Sequence, residues 1–362
     1  MMKRKRLDPF LAACYGALCN FFGGDDSLMR TIRVVQYGLG PIGCAVARAL
    51  LEKDGLELVG AADIAPDKAA KDLASVLGLP GELGIRVEED ARVMLRTAQP
   101  DVVIHTTQSF FNEVYPQLEL AVLAGVNVVS STEELVYPQL RSPQLAARLD
   151  FMARKHGATI LGTGVNPGFV MDTLALVLSG VCKKVQNVKI TRRVDASTRR
   201  MPLQRKVGAG MKPAEFRKLR KAGKLGHVGL LESMALVASG LGWKLEKVTE
   251  KVDPVLAKAT LRTKYFTVAK GHVCGLRHTG AGLSNGRKVI ELDLQMYLGA
   301  EDPMDSIELE GEPDLRMVIP GGVEGDTATV ASLINAIPRV VEAEPGLKTV
   351  LDLPIPRAFQ AV

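Results

Sequence analysis

From residue 32 onward the apolar residues fall into short solid blocks, separated by stretches in which they recur at helical spacing. Residues 32–37 form a β-branched and apolar run, the pattern of a strand buried on both faces. The following stretch to about Lys53 puts Ile42, Val46, Ala49 and Leu50 on one helical face, with Gly55 just beyond it. Residues 56–62 are the next buried strand, ending at Asp63. The alternation then continues. A helix is expected over 66–77 with Pro66 in its first turn, a short strand near 85–87, and a helical stretch over 88–98. A buried strand over 101–105 ends in Thr106-Thr107, and a helix follows over 116–124. The strand over 126–129 runs into Ser130-Ser131-Thr132-Glu133-Glu134. Ser142-Pro143 signals a helix reaching about His156, and residues 158–161 make a sixth strand. Strands and helices in strict alternation predict a doubly wound parallel sheet.

After residue 169 the style changes. A helix over 171–178 links to strands over 185–191, 264–268 and 289–298, the last preceded by the hairpin signal Asn285-Gly286. Helices are expected over 213–221 and 228–239. A final helix over 326–341, capped by Asp326, is expected to return to the first layer.

The turn between the first strand and first helix is Gly38-Leu39-Gly40-Pro41-Ile42-Gly43. Gly38 permits a tight turn, Gly40 lets backbone approach a pyrophosphate, and Gly43 lets helix and strand pack closely. The helix start offers free N–H groups and a positive dipole end to phosphates. Asp63 stands where a carboxylate accepts hydrogen bonds from an adenosine ribose. Strand, glycines, helix, strand and acid in this order read as a Rossmann unit for NAD or NADP. Asp63 favours NAD slightly, because its charge repels a 2′-phosphate, although Lys68 is within reach. Ligands of such sheets lie beyond the carboxyl ends of the strands, which gathers Thr106, Thr107, Ser130, Ser131, Thr132, Glu133, Glu134 and Asn166 around the cofactor. Ordinary turn chemistry accounts equally well for any single threonine or serine among them.

With 362 residues the chain is long enough for two domains. The expected architecture is α/β: an N-terminal Rossmann doubly wound parallel sheet, plus an α+β substrate and dimerisation domain with an open mixed sheet. The boundaries are expected at 29–165 for the first, 166–320 for the second, and 321–362 for a segment returning to the first. Residues 1–28, basic and then apolar, superficially resemble a signal peptide. Asp8-Pro9 interrupts that pattern and no small-residue cleavage site follows, so the segment reads as an extension outside the fold, expected to be disordered. No apolar run reaches the roughly 18–20 residues of a membrane-spanning helix. The five cysteines contain no CxxC pair and the five histidines no ligand spacing, so no metal is expected and the compartment reads as cytoplasmic. Residues 192–224 are strongly basic, with Asp195 and Glu215 their only acids. No reading motif or interleaved aromatics accompany that charge, so a solvated helix, or a flap attracting an anionic cofactor or substrate, is favoured over a nucleic-acid surface.

Three segments carry a family resemblance: residues 34–43, Ser130-Ser131-Thr132-Glu133-Glu134-Leu135, and the stretch from Gly162 through Asn166-Pro167-Gly168-Phe169 to Asp172. Together with residues 193–200 and Gly208-Ala209-Gly210 they resemble the 2,4-diaminopentanoate dehydrogenase family, which includes the native amine dehydrogenases and is related in fold to dihydrodipicolinate reductase. The resemblance covers nearly everything from Met29 onward. It implies NAD(P)-dependent oxidative deamination of a primary amine or diamino acid, or the reverse reductive amination of a ketone or aldehyde with ammonia, by a homodimer. It also implies an acidic residue after the fifth strand in the amine site. Glu133 and Glu134 both match, and Glu133 is preferred. A carboxylate there can hold the substrate ammonium or take its proton, freeing the lone pair that expels hydride. Asn166 is placed to bind the nicotinamide or shape the cleft, and Tyr137 and Phe169 to wall it or simply to pack. Two rivals remain. A dihydrodipicolinate reductase would show a His-His pair and a lysine where residues 190–197 have neither. A non-catalytic NAD(P) sensor would lack the working acid.

Overall fold

The computed structural model describes residues 31–223 and 225–359. The expectation for residues 1–28 therefore lies outside the described residues.

The first half folds as the alternation dictates: β1 (Ile32–Tyr37), α1 (Pro41–Leu51), β2 (Leu56–Ala62), α2 (Leu73–Leu77), β3 (Val87–Glu88), α3 (Ala91–Ala98), β4 (Val102–His105), α4 (Phe111–Leu123), β5 (Asn127–Ser130), α5 (Pro143–His156) and β6 (Thr159–Gly162). A second layer follows with α6 (Thr173–Ser179), β7 (Lys184–Asp195), α7 (Met201–Lys206), α8 (Pro213–Lys221), α9 (Leu230–Gly240), β8 (Lys247–Leu256), β9 (Leu261–Arg262), β10 (Thr267–Val268), β11 (Val273–Ser284), β12 (Arg287–Tyr297), β13 (Met304–Glu312) and β14 (Leu315–Pro320). The chain then returns through α10 (Gly325–Glu342) and β15 (Gly346–Lys348).

The first sheet has the order β15-β6-β5-β4-β1-β2-β3, all parallel. The order in which strands are added reverses between β1 and β4, the place where such sheets open a ligand crevice. Both faces are covered, which explains the solid apolar runs. Val35 belongs to the core on the face of α3, α4 and α5, together with Met94, Phe111, Leu118 and Leu149. Val34 points to the other face, against Val46 and Leu50 of α1 and Leu333, Ile337 and Val340 of α10. The second sheet is mixed, β14-β13-β7-β12-β11-β8, with β7 and β12 parallel and its other pairs antiparallel. Its inner face buries Val188, Ile190, Leu276, Leu292 and Leu294 against Phe216, Leu230, Met234 and Val237 of α8 and α9. Its outer face carries paired charges, including Lys189 with Glu308 and Arg277 with Asp293.

The expected α/β class with a second mixed sheet is what the structure has. Several element limits differ. Residues 66–70 form turns, and α2 starts only at Leu73, because Asp72 caps it by accepting from the Ala74 N–H at 2.8 Å. Helix α4 begins at Phe111, upstream of Pro116, which lies inside it. Helix α5 keeps its expected limits, with Ser142 at the N-cap position and Pro143 first in the helix, although the Ser142 hydroxyl bonds Asn112 and not a helix N–H. The final helix is capped by Glu324 and not by Asp326, whose carboxylate is taken by Arg199 and Arg200. Strands β8, β9, β11, β13, β14 and β15 were not anticipated, and the strand expected over 264–268 shrinks to Thr267–Val268.

The basic segment also needs correction at its start. Arg192 is buried, 2% exposed, and is not solvated. It faces Asp305 across β7 and β13 at 2.9 Å and donates a second bond to the Val323 carbonyl. Asp305 Oδ2 also accepts the Val323 N–H. Breaking such a pair strands one charge in the core, which costs more than replacing both partners. Asp305→Ala is expected to destabilise the protein by about 3–5 kcal/mol, and Arg192→Met with Asp305→Leu by clearly less. Urea unfolding of the two variants measures the difference.

Candidate active site

At the switch point the glycine loop packs without slack. A Cβ on Gly43 would sit 1.9 Å from the Gly38 carbonyl oxygen, so α1 is pressed directly onto the loop. Gly38 itself takes φ +92° and has Thr106 backbone against it. Gly40, by contrast, has nothing within 4 Å of where a side chain would start, and it begins α1 with no side-chain cap. The helix start is therefore open to an incoming group while the rest of the loop is fixed from behind. Thr106 helps fix it, its hydroxyl donating to the Gly38 carbonyl at 2.9 Å and accepting from Gln36 Nε2 at 2.8 Å. Asp63 accepts the Leu39 N–H at 2.6 Å and the Ala65 N–H at 2.8 Å, with Lys68 Nζ at 3.3 Å. The loop, the bare helix start and this acid fit a dinucleotide.

A cavity of ≈ 400 Å³ joins that helix start to the second sheet. Gly40, Pro41, Ile42, Thr106, Thr107 and Asn166 line it, together with Glu133. The two glutamates part company here. Glu133 faces the cavity. Glu134 is turned away and accepts the Phe111 N–H at the start of α4 at 2.9 Å, where the helix dipole favours a negative charge. Its other oxygen lies 3.3 Å from Arg141, which also holds the buried Glu232 at 2.6 Å. Of the other expected residues, Gly38, Leu39 and Gly43 back the loop and do not line the cavity. Ser130 is buried in a network with His105 and Thr132. Tyr137 is not among the lining residues, and Phe169 packs on the core of the second sheet.

Two groups of the site carried no spacing signal in the sequence. Lys206, the last residue of α7, places Nζ 3.8 Å from Glu133 Oε1. His227 lines the same cavity, with Nε2 3.3 Å from the Asn166 carbonyl. Burial, reinforced by Lys206, His278 and Arg192, drives the His227 pKa down to about 3, so its ring is neutral near pH 7. Three arginines complete the basic wall and each is already paired: Arg192 with Asp305, Arg199 with Asp326 and Glu324, Arg200 with Asp326.

Comparison with known proteins fits this geometry. Residues 169–362 match the model of the 2,4-diaminopentanoate dehydrogenase C-terminal domain, and residues 32–142 that of the dihydrodipicolinate reductase N-terminus. The chain is 32% identical over 341 residues to 2,4-diaminopentanoate dehydrogenase of Acetoanaerobium sticklandii, covering 91% of this chain and 96% of that one. The chain belongs to the 2,4-diaminopentanoate dehydrogenase family. An amine dehydrogenase of Streptomyces virginiae is 25% identical over 353 residues, covering 90% of this chain and 96% of that one. The solved amine dehydrogenase from Mycobacterium smegmatis superposes with a TM-score of 0.82 at 29% identity, covering 92% of this chain and 99% of that one. The sequence-based reading of a Rossmann oxidoreductase of the amine dehydrogenase type is borne out. In this family member the C-terminal domain supplies Lys206 and His227, and the N-terminal one Glu133.

The network behind the cavity has a pH signature. His105 is 1% exposed and bonded with Ser130 and Gln117, and burial lowers its pKa from 6.5 to about 4. As pH falls through that window the unfolded chain takes a proton that the folded ring refuses, so stability present above pH 6.5 is lost toward pH 4. The loss amounts to about 3 kcal/mol for this group. Urea unfolding at about pH 7.5 and about pH 5 is expected to show about 2 kcal/mol of it, and His105→Gln to reduce the slope while leaving the part that His227 contributes.

Proposed function

We propose that the protein is an NAD(P)-dependent amine dehydrogenase in which Glu133 works on the substrate nitrogen. The observation that carries this reading is that one cavity holds both the open start of α1 and the Glu133 carboxylate. Gly40, Pro41, Ile42, Thr106 and Thr107 would hold the dinucleotide's phosphates and ribose, Asp63 its adenosine ribose, and Asn166 the nicotinamide side. A hollow of ≈ 690 Å³ beside Ile64, Arg92 and Leu120 suits the adenine end. NAD is favoured over NADP by the Asp63 charge, and Lys68 softens that preference. When bound, this cofactor exchanges a hydride with the substrate carbon.

The chain's own part is proton work and charge. Substrate enters as an ammonium, and Glu133 takes one of its protons. The nitrogen lone pair then forms the C=N bond as the neighbouring C–H bond breaks, with its electron pair leaving as hydride. The resulting iminium is cationic, so the carboxylate site must stay anionic or recover its charge at this point. Glu133, having passed its first proton to solvent, takes a proton from the water that adds to the iminium carbon and gives it to the nitrogen; ammonia then leaves as the hydroxyl proton returns to Glu133 and the carbonyl forms. Reductive amination follows the same steps backwards. His227 does not serve as the acid near neutrality, because its ring is held neutral; it offers shape and a polar wall.

The uncovered face of the second sheet, with Lys189, Glu308, Arg277 and Asp293 alternating in sign, suits pairing with a second copy in a homodimer. Supply of the cofactor and the free thiols of Cys44, Cys182 and Cys274 suit the cytoplasm.

Two measurements test the reading. NAD(P)H consumption with a panel of ketones and aldehydes is expected to require ammonia. Tight cofactor binding without any turnover would move the protein to the sensor reading. Glu133→Gln is expected to cut amine oxidation by roughly 10²–10⁴-fold while leaving the cofactor dissociation constant within about twofold. Glu134→Gln should instead lower the unfolding midpoint, by about 1–3 kcal/mol of stability, because a buried N–H loses its charged acceptor.

A further inference from the structure

The charges around the cavity balance pair by pair until a substrate arrives. Arg192, Arg199 and Arg200 are each held by carboxylates of Asp305, Glu324 or Asp326. Lys206 is different. Its ion pair among the described residues is with Glu133, at 3.8 Å, and its side chain is 45% exposed. Lys206 lines the same cavity as Glu133 and His227, which puts its ammonium on the wall beside that carboxylate.

We infer that Lys206 is a specificity residue that selects amines bearing a carboxylate, by pairing with that carboxylate once the substrate ammonium has taken over Glu133. The inference rests on the amine dehydrogenase reading above and adds to it the residue that sorts substrates. In the resting site the lysine ammonium stands on Glu133, as a substrate ammonium must. A plain alkylammonium that displaces it leaves Lys206 without a counter-charge in a partly desolvated cleft. A zwitterion displaces it and supplies the replacement anion in the same event, so the exchange conserves charge. The 3.8 Å span between Nζ and Oε1 fixes the scale, since both groups must be reached by one small molecule. Short amino acids whose reacting nitrogen lies a few bonds from the carboxylate meet that requirement. Lysine suits the task because its flexible stem lets the ammonium swing from one anion to another.

The test compares kcat/KM for 4-aminopentanoate and 2-aminopentane, which share a five-carbon skeleton and differ in the carboxylate. In Lys206→Met the value for 4-aminopentanoate is expected to fall about tenfold, through KM, the size of one partly exposed charge-assisted contact. The value for 2-aminopentane is expected to rise, because Glu133 no longer has a competing cation. Lys206→Arg should restore most of the preference. Equal losses on both amines, or a shifted pH profile for both, would mean that Lys206 only keeps Glu133 ionised, and would overturn the inference. So would a matching loss of NAD(P)H affinity, which would assign the lysine to the cofactor. Calorimetry with 4-aminopentanoate needs no turnover: binding to the wild type that weakens about tenfold in Lys206→Met upholds the inference even if amine oxidation itself fails, and unchanged binding overturns it.

Discussion

A carboxylate with no access to water has to find all its hydrogen bonds inside the protein, and Asp172 does so at the junction of the two layers. It is 0% exposed and accepts from the Gly168 N–H at 2.8 Å, the Thr173 N–H at 2.6 Å and the Ser233 hydroxyl at 2.6 Å. Burial raises its pKa and these donors oppose the rise. One side chain thus joins the turn that leaves the first sheet, the start of α6 and the interior of α9. The turn carries Asn166, and the segment entering α9 carries His227 and Gly229, whose backbone lies against Pro167 and the Glu133 Cβ. The Glu133 end of the cavity is shaped by how this carboxylate is satisfied, although Asp172 does not itself line it.

The first sheet was legible because parallel strands covered on both faces are written as unbroken apolar runs, and because glycines 38, 40 and 43 mark the turn between them. The boundaries were less so. Pro66 looked like a helix start, whereas the cap that decides it is Asp72, six residues on. The second sheet hid for a physical reason. Strand β8 reads Lys-Val-Thr-Glu-Lys-Val-Asp-Pro-Val-Leu and buries no residue fully, so little apolar alternation marks it. Strands β13 and β14 carry most of their charges on an uncovered face, Asp305 excepted, and show no plain apolar run. Within the site, Glu133 could be found because it directly follows a strand of the parallel sheet, where ligands gather. Which glutamate faced inward depended on the start of α4, which needs a negative charge, and that is a contact between segments. Lys206 and His227 reach the cavity only through the packing of the second layer.

The basic stretch shows how a single sequence feature can dissolve into several structural ones. Arg192 is a core ion pair, Arg199 and Arg200 clamp the first turn of the last long helix, and Lys206 meets Glu133 in the cavity. Counted along the chain these are one block of positive charge. Counted in space they are nearly neutral units, each positive charge set beside a carboxylate.

The return of α10 and β15 to the first layer bears on synthesis. β15 adds the outermost strand by pairing with β6, and α10 covers Val34, Val46 and Val129. The ribosome releases β1 to β6 long before either element exists, so for much of translation one face of the nascent sheet lacks its cover and one edge lacks its partner. Topologically the second layer is an insert within the first, and the part of the protein that is made first is the part that is finished last.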